Sequence, residues 1–257
     1  MNKNEAFSRI PNDFYYNLEL KKDNPILNND NSTKVLLVMH NLSVLTNREN
    51  MATITINYLI EKCGYSVTKK IQPTFKDILN ELKELGYIDF KVEIQSYTNL
   101  IEINTENLEI NTNFFVVEND ELNIIRQATD NTREQNNLVK LYFYLKARVY
   151  KAGENDSLDI PQTTYVSYEN ISQHTGVSER NIKKYIDILV ALKLVHIRNL
   201  GTKVINNKVS ECANLYALTK VSKTDERLEY DLTYGLKQQK YWYEEQGYKI
   251  LKKKKEK

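Results

Sequence analysis

The chain of 257 residues repeats part of itself, and the repeat restricts what it can fold into. The segment NYLIEKCGY (Asn57–Tyr65) has the pattern of ENISQHTGV (Glu169–Val177), with Leu59 on Ile171, Gly64 on Gly176 and Tyr65 on Val177. A longer helical stretch follows each. Phe75, Leu79, Leu82, Leu85, Tyr87 and Ile88 have the spacing of Ile182, Ile186, Leu189, Leu192, Leu194 and Val195. Leucine every three or four residues is common to core-facing helices, but the shared glycine and the shift to strand-like sequence after each copy are not. The first copy carries five extra residues between glycine and long helix, so its turn is a larger loop. A chain built this way folds as two small units, each with its own core.

The second copy is the easier to read locally. Gly176 fits a left-handed turn between two helices, where a Cβ would be costly. Val177 plugs that turn into the core. Ser178 is placed to cap the next helix through its hydroxyl. Ile182, Ile186 and Leu189 then face inward, which leaves Glu179, Arg180, Asn181, Lys183, Lys184 and Asp187 outward. After the helix, VHIRNL reads as a strand, GTKVINNKVSECAN as a tip and LYALTK as a returning strand.

Around the two copies the pattern is coarser. A polar loop from Lys21 to Ser32 precedes a helix carrying Val35, Leu36, Met39, Leu42 and Leu45. The third helix begins near Pro73, a first-turn position that suits proline. Strand-like sequence runs from Tyr87 to Asp120, and Gln127–Asn137 reads as a linker or a helix entry. A helix over Leu138–Ala152 and a loop, GENDSLDIPQTT, lead into the second copy. The C-terminal stretch reads as a helix interrupted at Gly235 and Gly247. Its Tyr230, Tyr234, Tyr241, Trp242 and Tyr248 have two ways to be covered: against the second domain or in a homodimer contact. The expected division is an N-terminal segment 1–32, a first domain 33–127, a second domain 128–222, and a C-terminal helix with basic tail 223–257.

The net charge of +2 hides an asymmetry. Through Asp130 there are 13 Lys plus Arg against 19 Asp plus Glu, and from Asn131 onward 23 against 15. A basic second half is where nucleic-acid contact is expected, although part of the excess is the terminal KKKKEK. No apolar run approaches the roughly 20 residues of a membrane span. The start, MNKNEAFSRIPND, has no secretory core, and Cys63 and Cys212 fit no bridge framework, so the expected setting is cytoplasmic with reduced thiols. Phosphate-cradling glycine loops are absent, and His40, His174 and His196 are isolated from any metal-ligand spacing. A tyrosine nucleophile would need clustered His or Arg helpers. The expectation is therefore a protein that is not an enzyme and takes no cofactor or metal.

The residues ISQHTGVSERNIKKYIDIL resemble the winged helix-turn-helix, and the repeat makes two of them. The fold class this implies is α+β, mainly α: two winged helix-turn-helix domains in tandem plus a C-terminal helix. Such a recognition helix reads base edges near its N-terminus, so Arg180 and Asn181 are candidates for base readout, with Ser178 beside them and Lys183 and Lys184 on phosphates. Arg198, Lys203, Asn206, Asn207 and Lys208 of the wing would lie near phosphates or the minor groove. In the first copy the candidates are Lys69, Lys70 and Lys76, on a domain that either reads DNA through this narrow strip or serves assembly. Two such units, with a start FSRIPNDFYYNLEL of similar character, resemble the replication initiators of plasmids and phages of low-GC bacteria. The resemblance spans roughly Thr33–Lys220 and implies double-stranded DNA, host replication proteins and no membrane as partners. A transcriptional regulator would use the same helices on an operator.

Overall fold

Apolar side chains every three or four residues require one buried helical face, and both long helices of the repeat obey this. Phe75, Ile78, Leu79 and Leu82 are buried on one, and Ile182, Tyr185, Ile186 and Leu189 on the other. Each such side chain contributes about 1.5–3 kcal/mol on leaving water. The computed structural model describes residues 7–12, 32–108, 114–149 and 160–251. The chain divides into two compact units, Met1–Asn123 and Ile124–Lys257, and its class is α+β with small antiparallel sheets. The expected loop before Ser32, the end of the helix at Tyr150–Ala152, most of the loop after it and the terminal lysines lie outside the described residues.

In the first unit, strand β1 (Phe7–Pro11) pairs with β4 (Phe114–Glu118). Between them run α1 (Ser32–Leu45), β2 (Met51–Ile54), α2 (Ile56–Lys62), α3 (Ile71–Glu84) and β3 (Ile101–Asn104). Helix α4 (Asn119–Gln127) follows, and the division between units falls within it. The second unit contains α5 (Thr132–Arg148), β5 (Thr163–Val166), α6 (Tyr168–Thr175), α7 (Glu179–Ala191) and β6 (Val195–Arg198). It continues with β7 (Thr202–Ile205), β8 (Lys208–Glu211), β9 (Asn214–Leu218), α8 (Thr219–Ser222), α9 (Asp225–Glu245) and β10 (Lys249–Leu251).

The repeat is carried by backbone as well as by sequence. Thr55 caps α2 by accepting from Tyr58 N–H at 3.1 Å, and Ser167 caps α6 by accepting from Asn170 N–H at 3.2 Å. Gly64 and Gly176 follow these helices with φ of 81° and 69°. The ends of α3 and α7 share one bond set: Gly86 to Lys83 and Tyr87 to Leu82 in the first, Lys193 to Val190 and Leu194 to Leu189 in the second. These are the two hydrogen bonds of a Schellman ending. Strand register repeats too. Asn104 lies between Met51 and Asp89, as Ala217 lies between Thr163 and His196.

Several expectations change. Among its described residues the region Tyr87–Asp120 holds two short strands and an isolated Asp89–Asn104 bridge, and most of the others run as irregular chain or open α4. Of the two readings of Gln127–Asn137, linker or helix entry, the second holds for most of the stretch. Asn131 accepts from Arg133 and Glu134 N–H and starts α5 at Thr132, six residues before its apolar stripe begins at Leu138. Helix α9 is continuous through Gly235 and ends at Gln246. Gly235 is a close-approach position instead: a Cβ there would meet Thr163 Oγ1 at 2.6 Å.

In the second unit, directly paired strand residues share a sheet face. Leu215 and Ala217 of β9 pack on Leu232 of α9 with Tyr165, Leu228 and Leu236. Tyr216, fully buried, lies on the opposite face. The N-terminus of α9 is fixed by Asp231, which is fully buried. It accepts from Gln162 N–H at 2.9 Å and Ser222 Oγ at 2.7 Å and pairs with Arg227 at 2.9 Å.

Candidate nucleic-acid interface

The turn that aims α7 forms as its residues dictate. Gly176 is left-handed and Val177 is buried. Ser178 departs from expectation: its hydroxyl makes no capping bond, and its backbone carbonyl accepts from Asn181 N–H at 2.9 Å instead. Its φ of −56° with ψ of 131° leaves the short side chain exposed at the helix end.

The outward face of α7 is charged in both senses. Arg180 is exposed and makes no hydrogen bond or ion pair among the described residues. Asn181 is half-buried beside it. Lys183 pairs with Asp187 one turn on at 2.6 Å, and this hydrogen bond raises the lysine above its ordinary range. Lys184 pairs with Glu134 in the first turn of α5, which raises the lysine and holds the carboxyl below the usual range. Both pairs are open to water, so each lysine can exchange its carboxylate for another anion at small cost.

Beyond β6, the chain forms a hairpin, β7 paired with β8, whose tip is Asn206–Asn207. Both tip residues have positive φ, 48° and 62°, the geometry of a two-residue turn matched to strand twist. Lys208 is exposed directly after it. Tyr168, half-buried at the start of α6, connects the hairpin root with α7. Burial pushes its hydroxyl up, a hydrogen bond with Asn214 opposes this, and the charges of Asp187, Lys183 and Glu211 all reach it.

Two of the expected wing residues are engaged within the second unit. Arg198 pairs in register with Leu215, which places it on the sheet face that α9 covers. Its guanidinium donates to Glu229 at 2.7 Å and to Thr233 at 3.3 Å on that helix. Strand alternation decides this, because the preceding Ile197 pairs with Tyr216 on the opposite face of the sheet. Lys203 has its ammonium over the rings of Tyr243 at 4.3 Å and Tyr248 at 4.8 Å. Lys249, which the sequence pattern does not single out, is exposed and set by β10 opposite Val204 of the hairpin. Nothing local to Lys249 signals that pairing.

In the first unit, Lys70 immediately precedes α3, Lys69 comes before it, and Lys76 is in the second turn of the helix. Lys69 and Lys70 are exposed and Lys76 is half-buried. Gln72 is turned to α2, donating to Asn57 Oδ1 at 2.8 Å. Asp77, Glu81 and Glu84 share this helix with Lys76 and Lys83, whereas α7 carries Arg180, Lys183 and Lys184 against Glu179 and Asp187. Among the described residues no helix is long and apolar enough to cross a membrane. Comparison with protein-family models, curated proteins and solved structures finds no match to this chain.

Proposed function

We propose that both units are winged helix-turn-helix modules and that the chain binds double-stranded DNA in a sequence-specific way. The observation that carries this reading is α7. It is a helix started by a left-handed glycine turn, with a basic polar face at its N-terminal end and a hairpin of exposed tip following it. Arg180 and Asn181 are assigned to base edges, where Arg suits guanine and Asn suits adenine. Lys183 and Lys184 are assigned to phosphates, and Asn206, Asn207, Lys208 and Lys249 to the backbone beside the wing. In the first unit, Lys69, Lys70 and Lys76 occupy the equivalent helix start.

By its resemblance to plasmid and phage initiators, the protein is proposed to bind repeated origin sequences and to gather host replication proteins there. The test is selection of bound DNA from a random pool with the wild type, Arg180→Ala and Lys184→Ala. Sites repeated head to tail beside an AT-rich stretch support an initiator, while a single palindrome at a promoter makes the protein a transcriptional regulator. Equal recovery of one site by all three proteins removes α7 as the reading helix. Absence of any salt-dependent affinity removes DNA binding altogether.

A further inference from the structure

The C-terminal segment returns to the wing and closes on it. After Gly247, where φ is 80°, β10 adds to the outer edge of β7 with Ile250 opposite Lys203 and Leu251 opposite Thr202. The sheet order is therefore β10-β7-β8, a third strand on what would otherwise be a two-stranded ribbon. An isolated hairpin holds its shape poorly in water, and a third strand corrects this.

Side chains of α9 secure the root of the same ribbon. Between β8 and β9 the ladder is interrupted at Ala213. Its N–H donates to the Tyr243 hydroxyl at 3.0 Å, and its carbonyl accepts from Gln239 Nε2 at 2.8 Å. Gln239 and Tyr243 are both buried. On the opposite strand Asn199 donates to the Cys212 carbonyl at 3.0 Å and accepts from Gly201 N–H at 2.6 Å. On β7 the Lys203 ammonium lies against the negative faces of Tyr243 of α9 and Tyr248 of the turn that leads into β10.

We propose that α9 and β10 form a brace that holds the wing in one direction, and that Lys203 is a positioning residue of this brace and not a DNA contact. The dependence of DNA affinity on the brace rests on the DNA-binding reading; the brace itself does not. Lys203 joins the ribbon to both parts of the C-terminal segment, so losing its charge loosens the wing even though all neighbouring lysines remain.

The test uses the full chain as wild type, Leu251→Pro, Lys203→Met and Lys203→Arg. The Gly201 carbonyl accepts from Cys212 N–H, so strand alternation turns the backbone of Lys203 to β8 and that of Thr202 and Val204 to β10. Leu251, opposite Thr202, is in a hydrogen-bonded pair, and Leu251→Pro removes its N–H from the ladder while leaving every lysine in place. The side chain of Leu251 is exposed, so the unit still folds. Amide hydrogen exchange is followed over residues 202–211, with α6 and α7 as the internal reference. Leu251→Pro and Lys203→Met are expected to speed exchange in the wing by about tenfold or more and to leave α7 unchanged. Lys203→Arg, which keeps a cation on the rings, stays close to wild type. On DNA selected by the wild type, the first two variants weaken binding by roughly three- to tenfold, and Leu251→Pro does so without changing the salt slope. Unchanged exchange in Leu251→Pro overturns the brace. A loosened wing with undiminished DNA affinity overturns its role in binding. If the wild type itself binds no DNA, the DNA reading fails, and the exchange result still decides the brace.

Discussion

Gly86 and Lys193 occupy the same left-handed position, φ 76° and 56°, one residue beyond the C-caps of α3 and α7. One copy of the repeat uses glycine there and the other tolerates a lysine with its side chain exposed. A Cβ at Gly86 would touch nothing within 4 Å, so the cost of a side chain is backbone strain alone. Gly86→Ala is expected to destabilise the first unit by about 1 kcal/mol. Lys193→Gly relieves strain of similar size and gains unfolded-state freedom, so it does not destabilise the second. Urea unfolding of both variants checks the pair, and a silent Gly86→Ala would show that this ending is not under strain.

Gly235 lies where α9 crosses β5, with Thr163 Oγ1 and Leu215 Cδ2 at 2.6 and 3.1 Å from an added Cβ. Gly235→Ala improves helix propensity yet forces the helix off the sheet, for a net loss of roughly 1–3 kcal/mol. Thr163→Ala removes the nearest atoms. In the double variant the two costs should therefore fall well short of adding, which a double-mutant cycle by chemical denaturation measures.

Asp231 is a fully buried carboxylate that ties Gln162, Ser222 and Arg227 to the start of α9. Asp231→Ala removes the carboxylate that faces Arg227, itself mostly covered, and leaves the Gln162 N–H and the Ser222 hydroxyl without their acceptor. The expected loss is about 3 kcal/mol. Thermal unfolding of the full chain reads it, and a shift no larger than that of an ordinary surface substitution would refute the account.

Arg198 and Lys208 separate two views of the wing. By register Arg198 faces α9, whereas Lys208 is exposed at the tip. Arg198→Ala is expected to leave DNA affinity within about twofold of wild type, while Lys208→Ala weakens binding at every sequence and lowers the salt slope by about one. Fluorescence anisotropy at several salt concentrations distinguishes them. A loss confined to Arg198→Ala would return that residue to the interface.

Glu134→Gln tests whether the carboxylate beside Lys184 restrains binding. The pair is exposed, and the variant frees the lysine without changing side-chain shape. DNA affinity should rise modestly, by about two- to fivefold, and more at low salt than at high salt. A fall in affinity would mean that Glu134 positions Lys184 instead of competing for it.

What the residues determined by themselves was local. The burial of Phe75, Leu79 and Leu82 and of Ile182, Ile186 and Leu189 follows from helical period. The left-handed turns at Gly64 and Gly176 follow from the one residue type that enters that conformation freely. Duplication was legible because both copies solve the same packing problem with the same spacing. The Ser178 cap failed even though its residue type was right, because the backbone carbonyl of Ser178 took the helix N–H first. Other features depended on partners far along the chain. Whether Arg198 faces solvent or α9 is set by its register with Leu215; Lys203 meets Tyr243 and Tyr248 because α9 and the turn after it return to β7; and Asp231 is buried by residues up to 69 positions away. Periodicity says which side chains share a face. Which element covers that face is decided by long-range pairing, and that information exists only in the folded chain.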